Sequence, residues 1–327
     1  MARVTRAART AALVLVIAGG AVSSAAAQTK GPTVVMTGGL LYHTEDVGPN
    51  SIRTFKVTCP PGYLAMSGTA TDADGSTQLR SAPSGARSWT FSFGQPVTAA
   101  RTAHVTVLVV CSKPRPFLPG IGKSSIKIKL KKVASPTVAI PPGETEKTKL
   151  KCPAGSAPTG SGTTVAPPGA QPKSVRARAA AVLSNGLVAR LTRDLPVRGG
   201  FRLSVHNPAA VAQSIRHSGR CLFRRASYRR RHHRRRRAHT RVLRVVFHET
   251  AQPGSNLFER SCPRRTFPLG AGYEYASDDD MIVFGHAIGR PRRVLTPLIN
   301  GEGSFNRFDY DPLCLHGRLR TLPAPPP

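Results

Sequence analysis

The sequence predicts an all-β protein: three tandem small antiparallel β-sandwich-like modules, one intramodule disulfide each, with a disordered Arg-rich linker before the last. Three observations predict it. First, the six cysteines form three Cys-Pro starts, each followed by a later lone cysteine: Cys59 with Cys111, Cys152 with Cys221, and Cys262 with Cys314. The spacings are 52, 69 and 52 residues, and two equal values out of three argue for pairing within each module. Second, Pro49, Pro142 and Pro253 stand at nearly matching distances before the first cysteines, as do Gln95, Asn207 and Asn300 before the second. Third, Thr-, Val-, Phe- and Tyr-rich runs between the cysteines are punctuated by Gly, Pro, Asp and Ser, which is strand-and-turn chemistry.

Residues 1–27 read as a secretory signal peptide: Arg3, Arg6 and Arg9 precede an apolar run from Ala11 to Val22, with cleavage expected between Ala27 and Gln28. The run is shorter than the roughly 20 residues a membrane span needs, so no transmembrane segment is expected after signal removal. No cysteine follows the cleavage point for lipid attachment, and the Pro-rich end, Leu322 to Pro327, lacks the rest of a wall-sorting signal. Export places the cysteines where an even count means disulfides rather than metal ligands.

Module one, residues 30–113, offers strands at Ile52 to Thr58, Tyr63 to Thr71, Ser88 to Gly94 and Ala103 to Cys111. The last is apolar on nearly every position toward its end, as in a strand buried on both faces. The bridge then joins the second strand to the last, and closing such a loop is worth roughly 4 kcal/mol in the chain-entropy model. Module two, residues 114–223, begins with Ser125 to Lys132, in which Ile126, Ile128 and Leu130 share one face and lysines the other, a pattern suited to an edge. Its extra length falls at Val175 to Leu191, readable as a hairpin turning at Asn185-Gly186 or as an Ala-rich helix after Ser174. Residues 224–241 hold ten arginines; like charges at this density repel, which predicts a disordered linker. Module three, residues 242–322, starts on Arg244 to Phe247 and repeats the first module's cysteine spacing.

Charge is the most informative functional feature. Of the net +32, most is concentrated in residues 114–241, where 28 lysines and arginines face 3 acids. Guanidinium groups pair bidentately with phosphate and carboxylate. The expected polyanion-binding residues are therefore Arg224, Arg225, Arg229, Arg230, Arg231, Arg234, Arg235, Arg236, Arg237 and Arg241, with Lys127, Lys129 and Lys131. The expected partners are anionic cell-envelope polymers or other polyanions. Sequence-specific nucleic-acid reading is not expected, because Tyr228 is the one stacking ring in the run. A solubilising spacer explains the same composition.

Other motifs weigh against catalysis. Gly120-Ile121-Gly122-Lys123-Ser124 resembles the end of a P-loop but has Phe117 in place of the first glycine and leads into a strand. Asp72 to Gly75 and Ser277 to Asp280 fit acidic turns better than calcium loops. The arginines around His232, His233 and His239 would repel a metal cation, so no metal or cofactor is expected. No catalytic signature is present, and a hydrolase using the acids of module three is the lesser alternative.

Cys59-Pro60-Pro61-Gly62 with Val109-Val110-Cys111, Cys152-Pro153-Ala154-Gly155 with Cys221, and Cys262-Pro263 with Cys314 resemble exported proteins of high-GC Gram-positive bacteria whose modules open on Cys-Pro-x-Gly. Arg265 departs from that pattern by replacing the glycine. The resemblance implies no particular activity. The reading that results is a secreted, non-enzymatic binding or surface-associated protein held to the cell wall by charge.

Overall fold

A computed structural model describes residues 31–72, 76–96, 98–166, 190–230, 234–275, 281–283, 287–288, 292–301, 305–320 and 322, and no helix occurs among them. The signal peptide, Ser277 to Asp280 and all but the last two residues of the Val175 to Leu191 insertion lie outside the described residues.

The strands group around the three disulfides, Cys59–Cys111, Cys152–Cys221 and Cys262–Cys314. The first unit comprises β1 (Met36–Val47), β2 (Ile52–Thr58), β3 (Leu64–Asp72), β4 (Thr77–Pro83), β5 (Ser88–Gly94) and β6 (Ala103–Pro114). In it β6 pairs with β1 and β3, and β5 pairs with β2 and β4. A small hairpin, β7 (Phe117–Leu118) and β8 (Gly122–Lys123), leads to β9 (Ser125–Lys127).

The middle unit holds β10 (Leu130–Ala134), β11 (Val138–Ile140), β12 (Thr145–Lys151), β13 (Ser156–Ala166), β14 (Arg190–Val197), β15 (Gly200–His206) and β16 (Gln213–Phe223). Here β16 lies between β10/β11 and β13, and β15 between β12 and β14. Next come β17 (Arg225–Arg229) and β18 (Arg236–His239). The last unit has β19 (Val242–Arg244), β20 (Phe247–Ala251), β21 (Gly254–Ser261), β22 (Thr266–Tyr275), β23 (Met281–Val283), β24 (Ala287–Ile288), β25 (Arg293–Asn300) and β26 (Asn306–Leu319). It pairs β26 with β19/β20 and β22, and β25 with β21 and β23/β24.

Local chemistry explains the common pattern. Each first cysteine directly follows the strand that pairs with β5, β15 or β25, and its partner lies in β6, β16 or β26, so each bridge fastens two layers together. After each Cys-Pro a turn closes, with Tyr63, Ser156 and Thr266 N–H donating to Pro60, Pro153 and Pro263 O at 3.1–3.2 Å. Gly62 (φ +79°), Gly155 (+75°) and Arg265 (+62°) hold the left-handed position of those turns. Arg265 thus keeps the turn without the glycine.

The upstream prolines mark a second turn, in which Asn50 (φ +48°), Gly143 (+72°) and Gly254 (+87°) follow Pro49, Pro142 and Pro253. Asn207 and Asn300 tie that turn down. Asn207 Nδ2 donates to Ile140 O at 2.9 Å and Asn300 Nδ2 to Ala251 O at 3.2 Å, each carbonyl lying two residues before the proline. Both asparagines are fully buried, and Gln95 N–H bonds Ser51 O at the matching corner.

The units are not separate beads. In place of tandem sandwiches, the sheets run through unit boundaries: β4 pairs with β13, β14 with β22, and β26 runs parallel to β1. First and middle, middle and last, and last and first units are therefore all hydrogen-bonded to one another. At their meeting place β3, β13 and β22 each bulge at the seventh residue after the first cysteine, Met66, Thr159 and Leu269. All three are buried; Thr159 Oγ1 donates to Met66 O at 2.9 Å, and Ser67 Oγ donates to Leu269 O. A Cβ on Gly160 would stand 2.7 Å from the Ser67 backbone, so only glycine permits this approach.

Beside this junction lies a core that no single unit owns, built from Met36, Leu108, Val110, Leu222, Phe267, Leu313 and Leu315 among others. It explains why β6 is apolar on both faces. Val105, Val107 and Val109 face the first unit's own core with Trp89, Phe91 and Phe93, whereas Leu108 and Val110 face the shared one.

The expected disordered linker at 224–241 is corrected. Apart from 231–233, which are not described, it forms the β17–β18 hairpin. Ala226, Tyr228 and Ala238 sit in the shared core, and that burial offsets the repulsion among the arginines. Likewise Ser125 to Lys132 is not one strand: β9 pairs with β17, and β10 with β16. Ile126, Ile128 and Leu130 nevertheless share a face and pack against the shared core.

Candidate polyanion-binding surface

The surface starts from an alternation, Arg225-Ala226-Ser227-Tyr228-Arg229, in which period two sends Ala226 and Tyr228 inward and the intervening residues outward. The return strand matches it, with Ala238 opposite Ala226 and Arg237 opposite Ser227. On the other side of β17, Lys127 also lies opposite Ser227 and Ile126 opposite Tyr228. The outer face of β9–β17–β18 therefore carries a row Lys127–Ser227–Arg237, with Arg225 and Arg229 two residues to either side of Ser227. Two strand spacings separate Lys127 from Arg237, about 10 Å between their backbones.

Main-chain bonds hold this sheet in place. Val34 N–H donates to His239 O at 2.7 Å, His239 N–H to Pro32 O at 2.9 Å, and Arg224 N–H to Gly155 O at 2.8 Å. At the hairpin base, Thr240 N–H bonds Arg224 O and its hydroxyl bonds Phe223 O.

Of the expected residues, Arg224, Arg225, Arg229, Arg230, Arg234, Arg235, Arg236, Arg237 and Arg241 are exposed, and Arg231 lies outside the described residues with His232 and His233. Lys127 joins the arginines across Ser227. Lys129 lies between β9 and β10, its carbonyl accepting from Phe223 N–H. Lys131 sits on β10 opposite Cys221, in a different sheet. Among the described residues none of these cations meets a carboxylate, and the charge is left facing solvent. The positive field reaches His316, whose imidazole is held below its usual value by burial and by Arg241 and Arg265.

Four acids of the last unit are committed elsewhere. Asp311, fully buried, accepts Arg244 Nε at 2.8 Å; burial lifts its carboxyl to about 6 against the pull of that guanidinium. Glu249 pairs with Arg260, Glu259 with Arg293, and Asp309 with His248 at 2.7 Å. Among the described residues no group of three or more His, Cys, Asp and Glu is placed to hold a metal ion, and none of the helices, there being none, could cross a membrane. Gly120 to Ser124 forms the turn and return strand of β7–β8, followed by β9 rather than by a helix.

Sequence reading missed a second group of cations: Arg80, Lys132, Arg216 and Arg220. Arg216 and Arg220 stand four apart on β16 and so share a face, which is the one trace of the group in the sequence. Arg80 comes from the first unit and joins them only through the pairing of β4 with β13. The chain matches no protein-family model and no curated protein.

Proposed function

We propose that this is a secreted, non-enzymatic binding protein whose basic middle region attaches it to anionic cell-envelope polymers. We infer also that the three disulfide-closed units are copies of one module closed into a ring. The observation that carries the binding reading is the outer face of β9–β17–β18: Lys127, Arg225, Arg229 and Arg237 on a sheet anchored through Ala226, Tyr228 and Ala238. Anchored strands lose less conformational freedom on binding than a free arginine tract would, which favours a defined attachment surface over a spacer. The three disulfides suit an oxidising exterior. Attachment of this kind is electrostatic and weakens steeply with salt.

The test is retention on purified anionic wall polymer at low and high salt, comparing the intact protein with a variant carrying Lys127→Ser, Arg225→Ser, Arg229→Ser and Arg237→Ser. The proposal expects strong retention of the intact protein at low salt, loss of it at high salt, and little retention of the variant at either. Equal retention of both proteins would return the run to the role of a spacer.

A further inference from the structure

We propose that one face of the β10–β16–β13–β4–β5–β2 sheet carries a discrete phosphate-binding site, in which Arg80, Lys132, Arg216 and Arg220 close on one phosphate group over Thr164 and Ser218. The register builds it. Lys132 lies opposite Arg220; Arg216 lies opposite Thr164, which lies opposite Arg80, which lies opposite Ser92. Residues opposite one another share a face, as do Arg216, Ser218 and Arg220 on an unbulged stretch of β16. All four cations thus rise from one face, across the four neighbouring strands β10, β16, β13 and β4, with Thr164 and Ser218 between them.

Two of them are incompletely satisfied. Arg220 is 3 % exposed; one terminal nitrogen donates to Ser88 O at 3.2 Å, while its Nε is buried with no acceptor. Arg80 Nε is buried without a partner as well. Among the described residues no carboxylate balances the group. Burial holds Arg220 down at about 10, and Lys132 is lowered by burial and then by Arg80, Arg216 and Arg220, so Lys132 stands within the field of the other three.

A fold that gathers repelling cations and leaves buried N–H donors unmatched is arranged for an anion that supplies both charge and acceptors. Phosphate fits better than a carboxylate, because its oxygens can accept from several guanidinium and ammonium donors at once. The site is separate from the hairpin surface and does not rest on that reading.

The oxidised full chain is titrated with inorganic phosphate, and separately with dimethyl phosphate, against chloride at matched ionic strength, following heat and melting temperature. Inorganic phosphate is expected to bind saturably, one per chain, and to raise the melting temperature. Arg216→Ser, an exposed position, is expected to weaken binding at least tenfold. Arg220→Met should abolish the phosphate response while the ligand-free melting temperature holds or rises, since repulsion is relieved. The hairpin variant should keep the phosphate response. Binding of dimethyl phosphate too would identify the diester of a polymer backbone as ligand; its failure would identify a terminal or free phosphate. Equal effects of phosphate and chloride on the intact protein, or unchanged phosphate binding in Arg216→Ser and Arg220→Met, would overturn the site.

Discussion

Arg265 holds a left-handed backbone conformation, φ +62°, where the other two turns place Gly62 and Gly155. For a residue with a Cβ this costs about 1–2 kcal/mol, partly offset by the greater freedom of glycine in the unfolded chain. Arg265→Gly is therefore expected to stabilise the protein by about 0.5–1 kcal/mol in denaturant unfolding, and Gly62→Arg to destabilise it by a similar amount. His217 supplies a pH dependence. It is buried in the middle unit, with Nδ1 bonded to Thr163 at 3.0 Å and Nε2 without a partner, and burial lowers its imidazole to about 4. The unfolded chain takes up that proton near 6.5, so the stability His217 provides is complete above pH 6.5 and is lost as pH falls toward 4, by up to about 3 kcal/mol. Asp311, raised to about 6, works in the opposite sense, costing stability as pH rises from 3.8 to 6. The two effects are similar in size and opposite in sign, so in denaturant unfolding the parent should stay nearly flat from pH 6.5 to 4, whereas His217→Asn, left with the Asp311 effect, should gain stability on acidification.

The arginine run shows how an element can be misread from composition. Its charge density predicts disorder, yet every second position of Ala226, Tyr228 and their neighbours obeys the strand period, and the apolar partners that make a strand worthwhile come from distant parts of the chain. Ser88 to Gly94 is legible to its ends because its own Trp89, Phe91 and Phe93 declare the face that meets the first unit's core. By contrast β1 gave no signal, since Gly38 and Gly39 are there to make room for Phe267 and Leu322, contacts with no local trace. The polyanion face was half legible: its arginines were evident, their fixed arrangement was not. Tyr228→Ala is expected to cost about 3 kcal/mol, as for a buried aromatic ring removed from a core. Gly160→Ala, forced against the Ser67 backbone, should cost about 1–3 kcal/mol. Both are measurable by denaturant unfolding, and the first should also open 224–241 to trypsin.

At the scale of the whole molecule, shared sheets and a shared core couple the three units. Removing one bridge by Cys262→Ser with Cys314→Ser should forfeit roughly 4 kcal/mol, yet leave one cooperative transition at lower temperature rather than the separate melting of one unit. Calorimetry distinguishes the two. Cysteine spacing conveyed the bridges and the common pattern within each unit, whereas closure of the last unit onto the first depends on Met36 to Gly38 meeting Gly317 to Leu319 across almost the whole chain. The basic run is folded into this shared core and thereby displays its cations in fixed order. Native-state hydrogen exchange on residues 224–229 and 236–240 tests it most directly. Protection is expected in both segments, lost together with that of β6 and β26; exchange at the rate of an unstructured chain would rule out a folded hairpin.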